Sequence, residues 1–126
     1  MAEPSLALHK ALLAALNPIS ASVFDGVPQG ASFPYVTLDR TVLDRLPYLT
    51  ARKQERFTFL TIWSEVKGQQ QVLQIMGEID ALLDGASLTL DTGRVVLIQV
   101  DSASTDRDAD TVTFRGSVVL RVITEH

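Results

Sequence analysis

Residues 54–85, QERFTFLTIWSEVKGQQQVLQIMGEIDALLDG, hold two elements of different period, and the fold class follows from that pair. Between residues 55 and 64, Phe57, Thr58, Phe59, Thr61, Ile62 and Trp63 dominate, with no Gly or Pro among them. Branched and flat side chains pack well on a pleated surface, so this segment is predicted to be a strand. Phe57, Phe59 and Trp63 fall on one face, and Leu60 and Ile62 on the other. Apolar groups on both faces predict a central strand covered on both sides. Val72, Ile75, Met76, Ile79, Leu82 and Leu83 then follow the i, i+3, i+4, i+7 spacing of a one-sided helix. Gly68 precedes that helix, and Asp84-Gly85 ends it, because glycine takes the left-handed stop without strain. The expected fold is α+β: a single domain over residues 1–126, with a mixed, mostly antiparallel sheet and two main helices packed on one face. Phe57, Phe59, Trp63, Ile75, Ile79 and Leu82 are its expected core.

At 126 residues the chain is one domain long, enough to bury about two thirds of the surface its unfolded form exposes. Hydrophobic residues make up 46% and charged residues 21%, the mix of an ordinary globular protein. There are no cysteines, which excludes disulfides and thiolate metal sites and fits a reducing compartment. A net charge of −4 makes the whole molecule repel polyphosphate. The apolar run at residues 6–16 is interrupted by His9-Lys10 and preceded by Glu3, so it has neither the length of a membrane span nor the layout of a signal peptide. No membrane partner and a cytoplasmic location are expected.

Upstream, Leu8, Ala11, Leu12, Ala15 and Leu16 form the stripe of a first helix, introduced by Pro4-Ser5 and stopped at Asn17-Pro18. Its polar face carries only His9 and Lys10 as basic groups, which argues against a membrane-surface helix. Residues 20–24 suit a short strand. The segment 25–34 holds two glycines and two prolines, a rigid connector into a strand at residues 35–38. Residues 40–52, RTVLDRLPYLTAR, have neither clean period, and Pro47 opposes a regular element. Val42, Leu43, Leu46, Tyr48 and Leu49 are too apolar for a solvated loop. The loop therefore folds back on its own core or is buried against another copy of the chain, with these five as candidate contact residues. Residues 88–90 and 94–100 flank Asp91-Thr92-Gly93 as an expected hairpin, and residues 101–110 read as a polar loop. The last strand alternates: Val112, Phe114, Val118, Leu120 and Val122 against Thr111, Thr113, Arg115, Ser117 and Arg121.

No constellation for catalysis emerges. His9 and His126 have no positioned nucleophile or orienting partner, and the chain has no GxSxG, P-loop or HExxH. Asp106, Asp108 and Asp110 imitate the start of a calcium loop, but Thr111 stands where the loop glycine belongs and Glu125 is too distant to close it. A solvated acidic loop is the simpler reading. Arg40, Arg45, Arg52, Lys53 and Arg56 form the one basic cluster, diluted by Asp39, Asp44 and Glu55, weaker than a nucleic-acid groove needs. No catalytic residue, cofactor or metal is expected.

The layout resembles the tail-terminator or tail-completion proteins of long-tailed phages and phage-like gene transfer particles. The resemblance is carried by LHKALLAAL (residues 8–16), VFDGVPQGASFPYVTLD (23–39), FTFLTIWSE (57–65), GQQQVLQIMGEIDALLDG (68–85) and the closing alternating strand. It implies a structural virion protein, a homo-oligomeric and typically six-fold ring that caps the tail tube, stops its polymerisation and joins the tail to a head-side stopper or connector. The implied partners are the tail tube protein and that connector. DNA would pass through an acidic bore without specific binding. Assembly in the cytoplasm and a final place at the neck of the particle are implied as well. Two other readings stand beside it: a head-closure stopper or adaptor, and a small-ligand binding domain with a pocket between helix and sheet.

Overall fold

The computed structural model describes residues 5–19, 21–26, 30–45, 53–65, 69–86, 88, 90, 93–107 and 113–125. In chain order the elements are α1 (Ser5–Ala15), β1 (Ser22–Phe24), β2 (Tyr35–Arg45), β3 (Lys53–Ser64), α2 (Gln70–Leu83), β4 (Arg94–Arg107) and β5 (Phe114–Glu125). The strands form one sheet in the order β1-β2-β3-β5-β4, so β3 is central as its composition predicts. Only the short β1–β2 pair is parallel; the other three pairs are antiparallel. The chain is a mixed-sheet α+β protein.

Both helices bury their stripes against the same side of the sheet. Leu8, Leu12 and Leu16 of the first helical segment join Val72, Ile75, Ile79 and Leu83 of the second in one cluster with Val36, Leu60, Ile62, Ile98, Val118, Leu120 and Val122. Ile75 and Ile79 are fully buried, and Leu82 packs on the rim of the cluster. Gly116 sets how closely α2 approaches: a Cβ there would stand 2.6 Å from Val72 Cγ1 and 3.2 Å from Met76 Cε. A glycine inside a strand marks such close packing. At its C-terminus α2 is tied to the edge of the sheet. Gly85 takes a φ of 72°, its N–H donates to the Ile98 carbonyl at 2.8 Å, and the Val100 N–H donates to Asp84 Oδ1 at 3.0 Å.

Four sequence expectations change. Among the described residues the strand at residues 55–64 is covered on one side, not both. Its buried set is Gln54, Arg56, Thr58, Leu60, Ile62 and Ser64, whereas Phe57, Phe59 and Trp63, expected in the core, are half-buried on the opposite face. Residues 40–45 are strand, not loop. A bulge between Leu38 and Arg40 shifts the register by one and so breaks the alternation. Residues 101–107 likewise continue β4, with bulges between Val95 and Leu97 and between Val100 and Ser102. Leu88 and Leu90, expected in a strand, are outside any strand and pack against the core; Thr89, Asp91 and Thr92 of the expected hairpin lie outside the described residues.

Candidate subunit-contact surface

The face of the sheet turned away from α1 and α2 is the distinctive surface of this molecule, and strand register assembles it. Reading across β2, β3, β5 and β4, the rows are Val42–Phe57–Arg121–Gln99, Arg40–Phe59–Val119–Ser102, Thr37–Thr61–Ser117–Ser104 and Tyr35–Trp63–Arg115–Asp106. No helix among the described residues covers these rows. A soluble antiparallel sheet with one free face ordinarily shows polar groups there; this one carries a line of aromatic rings.

Those rings are held by specific contacts. Tyr35 lies 6.3 Å from Trp63, 6.0 Å from Phe24 and 5.1 Å from Phe33, centroid to centroid, the separation of favourable aromatic pairs. The peptide bond Phe33-Pro34 is cis. The Arg40 guanidinium sits 4.3 Å over the Phe59 ring and Arg115 5.8 Å over Trp63, within cation–π range. A hydrogen-bond chain crosses the bulge. Trp63 Nε1 donates to Thr37 Oγ1 at 3.3 Å and Thr37 Oγ1 donates to Asp39 Oδ1 at 2.7 Å. Thr61 donates to the other oxygen of the same carboxylate. The extra residue of the bulge is therefore what brings Asp39 back over the open face.

Charges on this face are compensated within the plane. Arg121 pairs with Glu55 at 2.5 Å, Arg94 with Glu125 at 2.7 Å and Arg115 with Asp106 at 3.5 Å. The Arg94 and Arg115 pairs reach solvent and add little stability; with the half-buried Arg121–Glu55 pair they offset the positive field that a nucleic-acid groove needs. The surface thus joins an aromatic β2–β3 part to a polar β5–β4 part with its charges nearly balanced, a mix that suits a protein contact, where aromatic residues and Arg are enriched.

Of the five sequence-predicted contact residues, Val42 and Leu43 lie at the far end of β2, 38% and 40% exposed. They point to opposite sides. Val42 extends the open face beside Phe57. Leu43 lines a cleft of about 240 Å³ between α1 and the sheet, with Ser5, His9, Asp25, Thr41 and Arg56. Leu46, Tyr48 and Leu49 lie outside the described residues, as do Asp108 and Asp110 of the acidic segment. Among the described residues no group of three or more His, Cys, Asp or Glu is arranged to hold a metal ion, and no helix is long and apolar enough to cross a membrane.

Two features escaped the sequence reading. Arg56 is fully buried on the helix side. It donates from Nε to Thr124 Oγ1 at 3.1 Å, from Nη2 to Gln54 Oε1 at 2.8 Å and from Nη1 to Ser5 Oγ. Its place in the strand's buried parity was the available signal. The second is that no helix among the described residues lies over the face that carries Phe57, Phe59, Thr61 and Trp63.

The sequence profile of the family described as tail completion protein gp17 matches residues 5–125. The chain belongs to that family. No curated protein sequence matches it significantly. Among solved structures, a chain from the virion of a native gene transfer agent particle superposes with a TM-score of 0.89 over 100% of both chains, at 21% sequence identity. At that identity the likeness is one of fold. The family indicated by residues 8–16, 23–39 and 57–85 is the one to which this tail-completion chain belongs.

Proposed function

We propose that this tail-completion protein forms a closed ring, six-fold as the family resemblance implies, that caps the tail tube of a phage-like particle, stops its growth and joins it to the head-side connector. The observation that carries this reading is the family match across residues 5–125. The fold shared with a chain of a gene transfer agent virion supports it, and so does a sheet face built like a protein contact.

The physics of the role requires no chemistry. A tube grows because each added ring exposes a new copy of the same template, so growth has no internal stop. A protein that matches the tube on one edge and differs on the other ends it. A ring made from one heterologous contact needs a patch and its complement on each subunit, and closes when the rotation between copies closes. Residues 1–126 would act as one domain, with Val42, Leu43, Leu46, Tyr48 and Leu49 contributing to the contact, and the ring would stand at the neck after assembly in the cytoplasm. The net charge of −4 on each copy suits a bore that lets DNA slide without holding its phosphates.

The test is to delete the gene and examine particles by electron microscopy. Unattached heads together with tubes of excessive or variable length are expected. Tails of normal length that fail to join heads would move the protein to the head-closure position, and intact particles would overturn both roles.

A further inference from the structure

We propose that the two opposite edges of the sheet pair with each other between copies of this chain. The β2 edge at residues 40–43 of one subunit lies antiparallel beside the β4 edge at residues 103–106 of the next, so the sheet runs on from copy to copy. This deepens the ring reading and rests on it, since one edge meeting the other is a heterologous contact.

The edges are open in complementary places. β1 pairs with β2 only along Tyr35, Val36 and Thr37, so from residue 40 on the outer edge of β2 has no strand beside it among the described residues. β4 ends the sheet on the other side. The turn after α2 covers β4 where the Gly85 N–H donates to the Ile98 carbonyl and the Val100 N–H donates to Asp84. Residues 39–43 and 101–104 are exposed without alternation, so both half-strands stand clear of the helices on one side and of any cover on the other. A long edge of this kind presents a row of backbone donors and acceptors to another strand. Polarity agrees as well. β2 runs antiparallel to β3, β3 to β5 and β5 to β4, so in copies of like orientation β4 of one meets β2 of the next antiparallel.

Side chains select the register. With Arg40 opposite Asp106, Thr41 faces Thr105, Val42 faces Ser104 and Leu43 faces Ala103. Arg40, Val42, Ser104 and Asp106 belong to the open face, and Thr41, Leu43, Ala103 and Thr105 to the helix side, so both faces continue unbroken across the seam. Arg40 lies flat over Phe59 and keeps its donors in the plane of the guanidinium. The Asp106 side chain is 74% exposed, with Arg115 at 3.5 Å. A slip of two residues one way sets Val42 against Asp106. A slip the other way drives β2 onto the stretch of β4 that the turn after α2 already covers. In the chosen register β1 of the second copy falls beyond Arg107, where β4 ends, so neither obstruction is met. Arg40 stands in the Phe59 row and Asp106 in the Trp63 row, so each copy is displaced by four residues for the four strands β2, β3, β5 and β4. Strand number and stagger are equal, the proportion of the eight-stranded barrel with shear 8 and a tilt of about 36°. Repetition of this contact therefore suits a closed ring.

The chain has no cysteine, so introduced thiols report the seam directly. Ile98 and Val100 are helix-side residues whose backbone groups turn outward. Ala103 and Thr105 share that side, which makes Val42 and Ser104 a non-hydrogen-bonded pair with close side chains. Under mild oxidation, alone or on isolated tube ends, Val42→Cys/Ser104→Cys is expected to give a reducible ladder of linked copies up to the ring, and neither single variant a dimer. Dimers from Val42→Cys alone would mean that two β2 edges meet, and dimers from Ser104→Cys alone that two β4 edges meet; each overturns the proposal. A charge swap gives an independent readout. Asp106→Arg is expected to leave the Tm of the dilute monomer unchanged and to lose the ring by light scattering, and Arg40→Asp/Asp106→Arg to regain it. Rings that survive Asp106→Arg, with no ladder from the thiol pair, would remove this contact and leave the ring reading in place. A wild-type chain that stays monomeric both alone and on isolated tube ends would remove both.

Discussion

Arg56 shows how a single strongly charged side chain can be fixed in a core. Arginine is almost never fully buried unless its donors are met, and here the guanidinium fork reaches the Thr124, Gln54 and Ser5 oxygens. It thereby stitches the first turn of α1 to the two central strands. Arg56→Ala would strand those acceptors and leave a void, and is expected to cost about 3 kcal/mol in denaturant unfolding. Arg56→Lys should recover little of it, because one compact ammonium cannot span the same fork. Trp63 makes the opposite point. Its aromatic character suggested a core position; its parity puts it on the open face, half-buried and tied by its indole N–H to Thr37. Trp63→Phe is expected to lose about 1 kcal/mol, the worth of one hydrogen bond. Trp63→Ala should lose about 2 kcal/mol, below the cost of about 3–5 kcal/mol for a fully buried aromatic. A loss at the fully buried level in urea titration would return Trp63 to the core.

At the scale of elements, the helices and the central and last strands were legible because their periods are uninterrupted. The helical stripes recur on one side, and the alternation of Val118, Leu120 and Val122 survives unbroken in the buried parity of β5. The strands whose extent was misread are the bulged ones. In β2 the extra residue between Leu38 and Arg40 turns Thr41 and Leu43 to the helix side and Arg40 and Val42 to the open side, so an eleven-residue strand reads as two unrelated pieces. In β4, two bulges and a polar sequence conceal a strand held in place by its pairing with β5. Propensity yields to pairing there. The sidedness of β3 was hidden for another reason: nothing within a strand's own sequence says where the helices will go. Gly116 is the element-scale constraint most open to test. Val72 is branched and stiff at χ1, and its Cγ1 would be 2.6 Å from a new methyl group, so Gly116→Ala should force α2 outward at a cost of about 1–3 kcal/mol. A destabilised variant whose near-ultraviolet dichroism around Trp63 is unchanged fits this displacement. A variant with unaltered Tm would show that Val72 moves aside freely.

At the scale of the whole molecule, one contiguous core joins both helices to every strand it reaches, so the monomer should unfold in a single cooperative step. The aromatic open face adds nothing to that core but offers apolar area for a second chain. If copies associate through it, folding and assembly share one equilibrium, and the Tm rises with protein concentration as mass action requires. Val42 is the position to probe, because it is 38% exposed at the end of the open face, opposite Phe57 and on the side of the sheet away from the helices. Val42→Asp is expected to leave the Tm of the dilute protein within about 0.5 kcal/mol of stability of the parent, the range of ordinary surface changes. It should also flatten the concentration dependence and abolish capping of tail tubes in negative-stain images. Val42→Leu, which keeps the apolar contact, should preserve both. Calorimetry over a hundredfold range of concentration checks the first expectation. A parent protein whose Tm does not move with concentration, yet which still caps tubes, would show that subunits meet only on the tube end, where the tube itself supplies the template for the ring.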